Sequence, residues 1–463
     1  MMRAFSLQEA LAWMGAASAT EGLGQISFTG VSTDTRALAP GELFVALRGD
    51  NFDGHRFLQK AKERGAVAAV VDTEDAQVGL PQLKAANTVD ALAKLAAGNR
   101  DASSARLIAV TGSSGKTTVR EMTAAILSRM GPTLATSGNL NNHIGVPLTL
   151  FGLSPEHQYG AIELGASGLG EIAHTVSITR PEAVILTNAG EAHLEGFGSY
   201  QNIVVAKGEI IDGVAEGGLV VLNRDDPAFD QWKQRAGDRR VASVSRTNHP
   251  DADYTCEAES VDGDGQRLVV NGPDGWSCKL HLALAGEHNL TNVALAVAAT
   301  RELGADNDAI VAGLGALQPV KGRLQNLHLT QALTVIDDSY NANPSSIKAA
   351  LSVLAARDGH RIAVLGAMAE LGDDALALHR EVGEFAHEQN IDRLLTVGPG
   401  CEGYVQGFGS AAESFQTHDE AVAAIVASRQ SPVTVLVKGS RSSAMDRVVE
   451  GIRKKVNSSC CSG

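Results

Sequence analysis

The stretch that most constrains this chain is residues 106–130, where the apolar run RLIAV leads into TGSSGKTT and then VREMTAAILSRM. The apolar run is short and β-prone, so it reads as a buried strand, and the last segment repeats its apolar residues at helical spacing. Between them, Gly112 and Gly115 let backbone N–H groups close on a polyphosphate, which the N-terminus of the next helix also attracts. Lys116 would reach the β- and γ-phosphates, and Thr117 would place its hydroxyl on Mg²⁺. Gly112, Ser113, Ser114, Gly115, Lys116, Thr117 and Thr118 are therefore candidate nucleotide-binding positions. Val110 stands where the common phosphate loop has its first glycine, so GxxGKT is a variant. A Gly-rich turn without a ligand is the plain alternative, but the order of strand, loop, GKT and helix argues against it. The loop implies a bound nucleoside triphosphate and leaves kinase, ATPase, GTPase, ligase and switch open.

The same unit recurs downstream. AIELGAS, AVILTNAG and GLVVLN are apolar strands that end in small or polar residues, which predicts a mostly parallel sheet with helices on its faces. Near residues 250–285 the texture changes: Asp262-Gly263, Asn271-Gly272 and Asp274-Gly275 separate short alternating runs, which predicts antiparallel hairpins. TVIDD, RIAVLGAM, RLLTVG and TVLVKGS form a second α/β run from about Gln318-Pro319 onward. Ahead of the phosphate loop, LFVALRG (Leu43–Gly49) and GAVAAVVD (Gly65–Asp72) read as strands, and Ser6 with Glu9 reads as a capping box opening a helix. These shifts divide the 463 residues into 1–84, 85–317 and 318–456, with a mobile tail at 457–463.

Composition narrows the function classes. Apolar residues make up 44% of the chain and charged residues 20%, enough to bury several cores. A net charge of −14 argues against a nucleic-acid partner, whose binding rests on Lys and Arg neutralising phosphates. Five cysteines (Cys256, Cys278, Cys401, Cys460 and Cys461) show no metal spacing, and their odd number suits a reducing compartment. Glu9 interrupts what would be a signal-peptide apolar core, and no run reaches transmembrane length. No GxGxxG follows the later strands, so a dinucleotide cofactor is not expected.

Several polar groups sit at predicted strand ends. Glu163 ends AIE, and His193 lies in TNAGEAHLEGFG; both could converge on the phosphates as Mg²⁺ ligands, or be a solvated strand end and a locally bonded loop histidine. Asn139, Asn141 and Asn142 crowd NLNNHIGVP, either as donors to sugar and phosphate oxygens or as a solvated turn. Lys207 in VVAKGEI reads on its own as a surface helix lysine. Asp337 and Asp338, opening DDSYNANPSS, could bind ribose hydroxyls or simply begin an Asx-rich turn before a helix.

Taken together, TGSSGKTT, NLNNHIGVP, ELGAS, TNAGEAHLE, AKGEI, GEHNLTNVALA, KGR, DDSYNANPSS, GAMAELG and KGSRSSAMD resemble the Mur ligases, a superfamily shared with folylpolyglutamate synthase. The resemblance spans nearly the whole chain. DSYNANP, MAELG and KGSR resemble the member that joins D-Ala-D-Ala to UDP-MurNAc-tripeptide; the DNPR motif of the meso-diaminopimelate-adding ligase is absent. The resemblance implies α/β architecture in three domains: a small mixed N-terminal domain binding the UDP portion, a central ATP-binding P-loop domain whose mostly parallel sheet has a small antiparallel part, and a Rossmann-like C-terminal domain. It further implies that Glu163 and His193 hold Mg²⁺ and that Lys207 matches a lysine carbamylated in several relatives. Asn289 and Asn292 would lie near the adenine and the nucleotide. Arg323 would reach the phosphates, and Asp338 would bind the ribose. Asn139, Asn141 and Asn142 would face the muramyl sugar and its pyrophosphate. Ser32, Thr33, Arg36, Gly54 and His55 would lie in the uridine-nucleotide region.

The expected reaction joins a carboxylate, activated by ATP with Mg²⁺, to an amine, with Lys116, His193, Lys207 and Arg323 as catalytic groups. The expected partners are UDP-MurNAc-tripeptide and D-Ala-D-Ala, for a cytoplasmic monomer. A folylpolyglutamate synthase-like ligase and a non-ligase nucleotide-driven switch are the alternatives.

Overall fold

The computed structural model describes residues 2–16, 22–49, 52–262, 264–428 and 432–460. Three sheets organise them. The N-terminal sheet has four parallel strands in the order Val31–Ser32, Leu43–Val45, Ala68–Val71 and Gln82–Lys84. The run Leu43–Gly49, expected as one strand, divides: Arg48–Gly49 leaves the sheet to pair antiparallel with Phe52–Asp53. The helix Leu7–Met14 opens on the Ser6–Glu9 capping box and closes on Gly15 in the left-handed region (φ +66°), where a glycine carries no Cβ penalty.

The central sheet has nine strands in the order Thr133–Ala135, Tyr159–Glu163, Arg106–Thr111, Ala183–Leu186, Leu219–Asn223, Arg240–Ser245, Tyr254–Asp262, Gly265–Asn271 and Ser277–Leu282. Pairing is parallel as far as Tyr254–Asp262 and antiparallel beyond it. The antiparallel part thus extends the parallel sheet. Asn271-Gly272 and Asp274-Gly275 share one connection, in which Asp274 takes φ +59°.

Arg106–Thr111 lies between Tyr159–Glu163 and Ala183–Leu186, so the chain leaves this strand to one side and later returns on the other. Ligands of open α/β sheets bind in the crevice at such a reversal, outside the carboxyl ends of the strands. Register aligns Glu163 with Val110 and Leu186 with Thr111, which brings three strand ends together there. The helix His288–Glu302 is buried along Asn289–Thr300, because its alanines, leucines and valines pack between the sheet and the helix Lys116–Met130. Its polar start, His288–Asn292, is held at the same crevice.

The C-terminal sheet runs Gln325–His328, Leu333–Asp338, Val433–Lys438, His360–Gly366, Arg393–Val397 and Ala412–Phe415, parallel except for its first strand. Apolar clusters cover both of its faces. The last helix spans Asp446–Cys460, so the segment 457–460, expected as mobile tail, continues a helix; Cys461 to Gly463 lie outside the described residues. No helix among the described residues is long and apolar enough to cross a membrane.

Candidate active site

The phosphate loop is shaped by two glycines. Gly112 has φ +145°, and a Cβ there would collide with the Thr187 hydroxyl. Gly115 has φ +80°, and a Cβ would stand 2.9 Å from Asn292 Oδ1. The loop is gripped from the neighbouring strand end: Thr187 Oγ1 donates to Ser114 O (2.6 Å), the Ser114 N–H donates to Asn188 Oδ1 (2.9 Å) and Asn188 Nδ2 donates back to Ser114 O (3.1 Å). Lys116 opens the helix Lys116–Met130, and its Nζ folds back on the carbonyls of Gly112 (2.8 Å) and Ser113 (3.2 Å). Burial lowers the Lys116 pKa, opposed by Glu163 and reinforced by Arg323.

Glu163, 2% exposed, collects the polar groups beneath the loop. Its Oε2 accepts from Thr117 Oγ1 (2.9 Å) and its Oε1 from Asn141 Nδ2 (2.9 Å). The buried Arg120 brings Nε to 3.8 Å of Oε2, where that nitrogen has no hydrogen-bond partner. A carboxylate and a hydroxyl side by side suit a hard cation, and Mg²⁺ takes few protein ligands because it keeps waters and substrate phosphates. The donor set therefore fits Mg²⁺. Asn142 is engaged within its own loop, where its Oδ1 accepts from the N–H groups of Ile144 and Gly145. Asn139 lines the cavity with its two neighbours.

Lys207 is the largest departure from a plain reading of the sequence. It lies on the helix Tyr200–Asp212 and is 2% exposed, so it is no surface lysine. Its Nζ donates to Ala166 O (3.3 Å) and stands 5.0 Å from the centre of the Phe197 ring. Burial, then repulsion from Lys116, lowers its pKa to about 7 despite Glu171 and Glu209. His193, at φ +56°, pairs through Nδ1 with Glu370 of the C-terminal domain; burial lowers its pKa against that pairing.

The C-terminal domain completes the walls. Asp338 and Lys438 are register partners on adjacent parallel strands, which puts Lys438 Nζ 2.6 Å from Asp338 Oδ2. Asp338 Oδ1 accepts from the Leu324 N–H (3.1 Å). Burial raises the Asp338 pKa; Lys438 and Arg323 oppose it. Asp337 turns inward to bond Ser339 (2.6 Å), so Asp338 is the carboxylate that lines the cavity. The Arg323 guanidinium stacks 4.4 Å above the Tyr340 ring. Asn289 Nδ2 donates to Ala285 O (2.7 Å) and Asn292 Nδ2 to Asn289 Oδ1 (3.0 Å). Asn343 caps the helix Pro344–Ala355 through the Ser346 N–H (2.8 Å), and its Nδ2 donates to Ser114 Oγ (3.1 Å), tying the two domains at the phosphate loop.

These groups surround one cavity of about 660 Å³, lined by Ser113–Thr118, Asn139, Asn141, Asn142, Glu163, His193, Asn289, Asn292, Arg323, Asp338 and Lys438. Gly112 and Lys207 lie behind its wall. Sequence reasoning missed Thr187, Asn188, Arg120 and His288. Only the motif TNAG hinted at the first two. His288 lines the cavity, with its pKa lowered to about 4 by burial and by Lys438 and Arg246.

Ser32, Thr33, Arg36, Gly54 and His55 do not reach this cavity. They gather at the carboxyl ends of the N-terminal sheet. There Arg36 forks onto Asp34 (2.6 Å), which lowers the Asp34 pKa to about 2. Ser32 Oγ bonds the backbone of Asp34 (3.1 Å). Gly54 leaves no room for a Cβ against Leu47 O (2.8 Å). His55 Nδ1 contacts Asp53 (2.8 Å), and its Nε2 accepts from the Asp72 N–H (3.2 Å).

Three family descriptions match the chain: "Mur ligase family, catalytic domain" at residues 27–100, "Mur ligase middle domain" at 110–300 and "Mur ligase, glutamate ligase domain" at 322–441. The chain is 45% identical over 437 residues to the UDP-N-acetylmuramoyl-tripeptide–D-alanyl-D-alanine ligase of Escherichia coli, covering 94% of this chain and 95% of that protein. It is also similar to the crystal structure of MurF from Acinetobacter baumannii (TM-score 0.91, 33% identity, 98% of this chain and 99% of that one). A further neighbour is the MurF ligase of Thermotoga maritima in complex with ADP (TM-score 0.84, 27% identity, 93% and 98% covered). With the phosphate loop, the buried acidic site beneath it and the second α/β domain closing the cavity, the chain belongs to the Mur ligase family as an ATP-dependent ligase of peptidoglycan synthesis.

Proposed function

We propose that this chain joins D-Ala-D-Ala to UDP-MurNAc-tripeptide, giving UDP-MurNAc-pentapeptide, ADP and phosphate. One observation carries the reading beside the family: the DDSYNANPSS segment is seated on the phosphate loop through Asn343 and Ser114, so one cavity is walled by both domains. Arg323 and Asp338 come from the C-terminal side and Lys116 from the central side, which suits a nucleotide held across the junction.

In this reading the tripeptide carboxylate attacks the γ-phosphate, and the amine of D-Ala-D-Ala displaces phosphate from the acyl phosphate. Lys116 turns from the loop carbonyls to the transferring phosphoryl group, and Arg323 adds charge from the other wall. The protein mainly positions groups and stabilises charge. Thr117, Glu163, His193 and Lys207 would hold Mg²⁺, which supplies charge neutralisation at the phosphates. Lys207 enters as a carbamate: its amine adds CO₂, an N–C bond forms and a proton leaves. A pKa lowered to about 7 gives the neutral amine this addition needs, and the burial that lowers it excludes competing water. Asn289 and Asn292 lie on the nucleotide side, Asn139, Asn141 and Asn142 face the muramyl portion, and the Ser32–Arg36 and Gly54–His55 region takes the uridine nucleotide. The enzyme acts as a monomer in the cytoplasm, where ATP is available.

Mass spectrometry tests the reading. The full chain with ATP, Mg²⁺, D-Ala-D-Ala and UDP-MurNAc-tripeptide carrying lysine or meso-diaminopimelate should yield the pentapeptide. Glutamylation of a folate, with no product from either peptide pair, would overturn it in favour of the related folate ligases.

A further inference from the structure

The GAMAELG segment has no part in the mechanism above, yet it makes a direct contact across the domain junction to a site residue. Glu370, at φ +61°, presents its carboxylate to His193 Nδ1 and accepts the Glu195 N–H on its backbone carbonyl (3.1 Å). The short helix between them, Leu194–Phe197, is fixed at both ends: Leu194 packs against the C-terminal core, while Phe197 is buried beside Lys207. Residues His193 and Gly198, which bracket that helix, both have left-handed backbone (φ +56° and +77°). The orientation of this segment is thus set by tertiary contacts, and a main one comes from Glu370.

A carboxylate at Nδ1 holds the ring proton there and leaves the lone pair on Nε2. That nitrogen has no protein partner among the described residues, and His193 lines the cavity. Histidines that bind metals are commonly held in this way: the second ring nitrogen donates to a carboxylate that fixes tautomer and orientation and raises basicity. Here the carboxylate belongs to the other domain.

We propose that Glu370 is a positioning residue of the metal site: it aims His193 Nε2 at the phosphates and makes metal capture depend on seating of the C-terminal domain. The inference rests on the reading of His193 as a metal ligand. The Glu370 side chain is 55% exposed, so its replacement leaves the core intact.

Mn²⁺ binding to the full chain, with a non-hydrolysable ATP analogue, separates the two claims. Electron paramagnetic resonance gives the affinity, and nitrogen couplings in the pulsed spectrum report imidazole on the metal. Wild type should show the coupling and His193→Ala should lose it. Glu370→Ala should weaken Mn²⁺ by about 10–100-fold, the usual effect of removing such a partner, and Glu370→Gln, which keeps an acceptor without the charge, should fall between. A Glu370→Ala variant that binds Mn²⁺ as wild type does, or more tightly, while His193→Ala loses the coupling, overturns the role of Glu370 alone. If wild type shows no nitrogen coupling and His193→Ala binds normally, the metal reading of His193 falls and this inference with it.

Discussion

The phosphate side of the central domain and the carboxyl edge of the N-terminal sheet both carry charged residues at strand ends, but they handle charge differently. At the N-terminal edge each charge has its partner: Arg36 forks onto Asp34, and both ring nitrogens of His55 are engaged by Asp53 and Asp72. Beneath the phosphate loop, Lys116 donates only to backbone carbonyls and Lys207 is buried with one carbonyl, while Arg120, though paired with Glu121 and Glu163, keeps a buried Nε without a hydrogen-bond partner. A buried cation without a counter-ion is costly to keep. At Lys116 that cost is what a polyanion repays when it binds, and at Lys207 it favours the neutral amine that CO₂ addition needs; the N-terminal edge shows no such deficit.

The largest expected effect is at Lys116. Lys116→Ala should lower kcat about 10²–10³-fold, by analogy with the loss of one preorganised donor to a developing anion, with an unchanged melting curve. Single-turnover ATP consumption by a folded variant checks it, and near-wild-type turnover would break the contrast on the phosphate side. Lys207→Ala comes next: activity should drop roughly 10–100-fold and recover in part with added formate, which offers the missing carboxylate oxygen. Loss without rescue by any small carboxylate would leave Lys207 as a direct phosphate contact instead. The smallest effect lies on the compensated edge. His55→Ala removes a clasp, leaves the Asp72 N–H without its acceptor and should cost about 1–2 kcal/mol of stability with kcat unchanged at saturating substrate. Thermal melting beside steady-state kinetics checks it; a fall in kcat without a fall in melting temperature would mean His55 acts in the chemistry.

Much of the architecture was legible because its signals are local. The buried strand RLIAV, the glycine loop and the helix after it needed only periodicity and loop chemistry, and the capping box at Ser6 formed as read. The break after Val45 was not legible: Leu43–Gly49 is apolar enough for one strand, but Arg48 and Gly49 pair with Phe52–Asp53 instead. At the end of the chain the extent of the last helix was not legible either. The Ser- and Gly-rich composition there suggested a loose tail, whereas the amphipathic helix from Asp446 continues to Cys460.

The sequence by itself determined the main α/β units, the phosphate loop and the family, because each is written in contiguous residues. Which charges would be left without partners was decided by the tertiary structure. Lys207 looks like any helix lysine in VVAKGEI, and only the packing of Phe197 and the Ala166 carbonyl around it makes it buried and lowers its pKa to about 7. Asp338 meets Lys438 because two strands far apart along the chain are neighbours in one parallel sheet, in register. Glu370 meets His193 because a second domain closes on the first. The physical reason is range: hydrogen-bonded loops and periodic faces are set by neighbours along the chain, whereas desolvation and ion pairing depend on every element packed around a group.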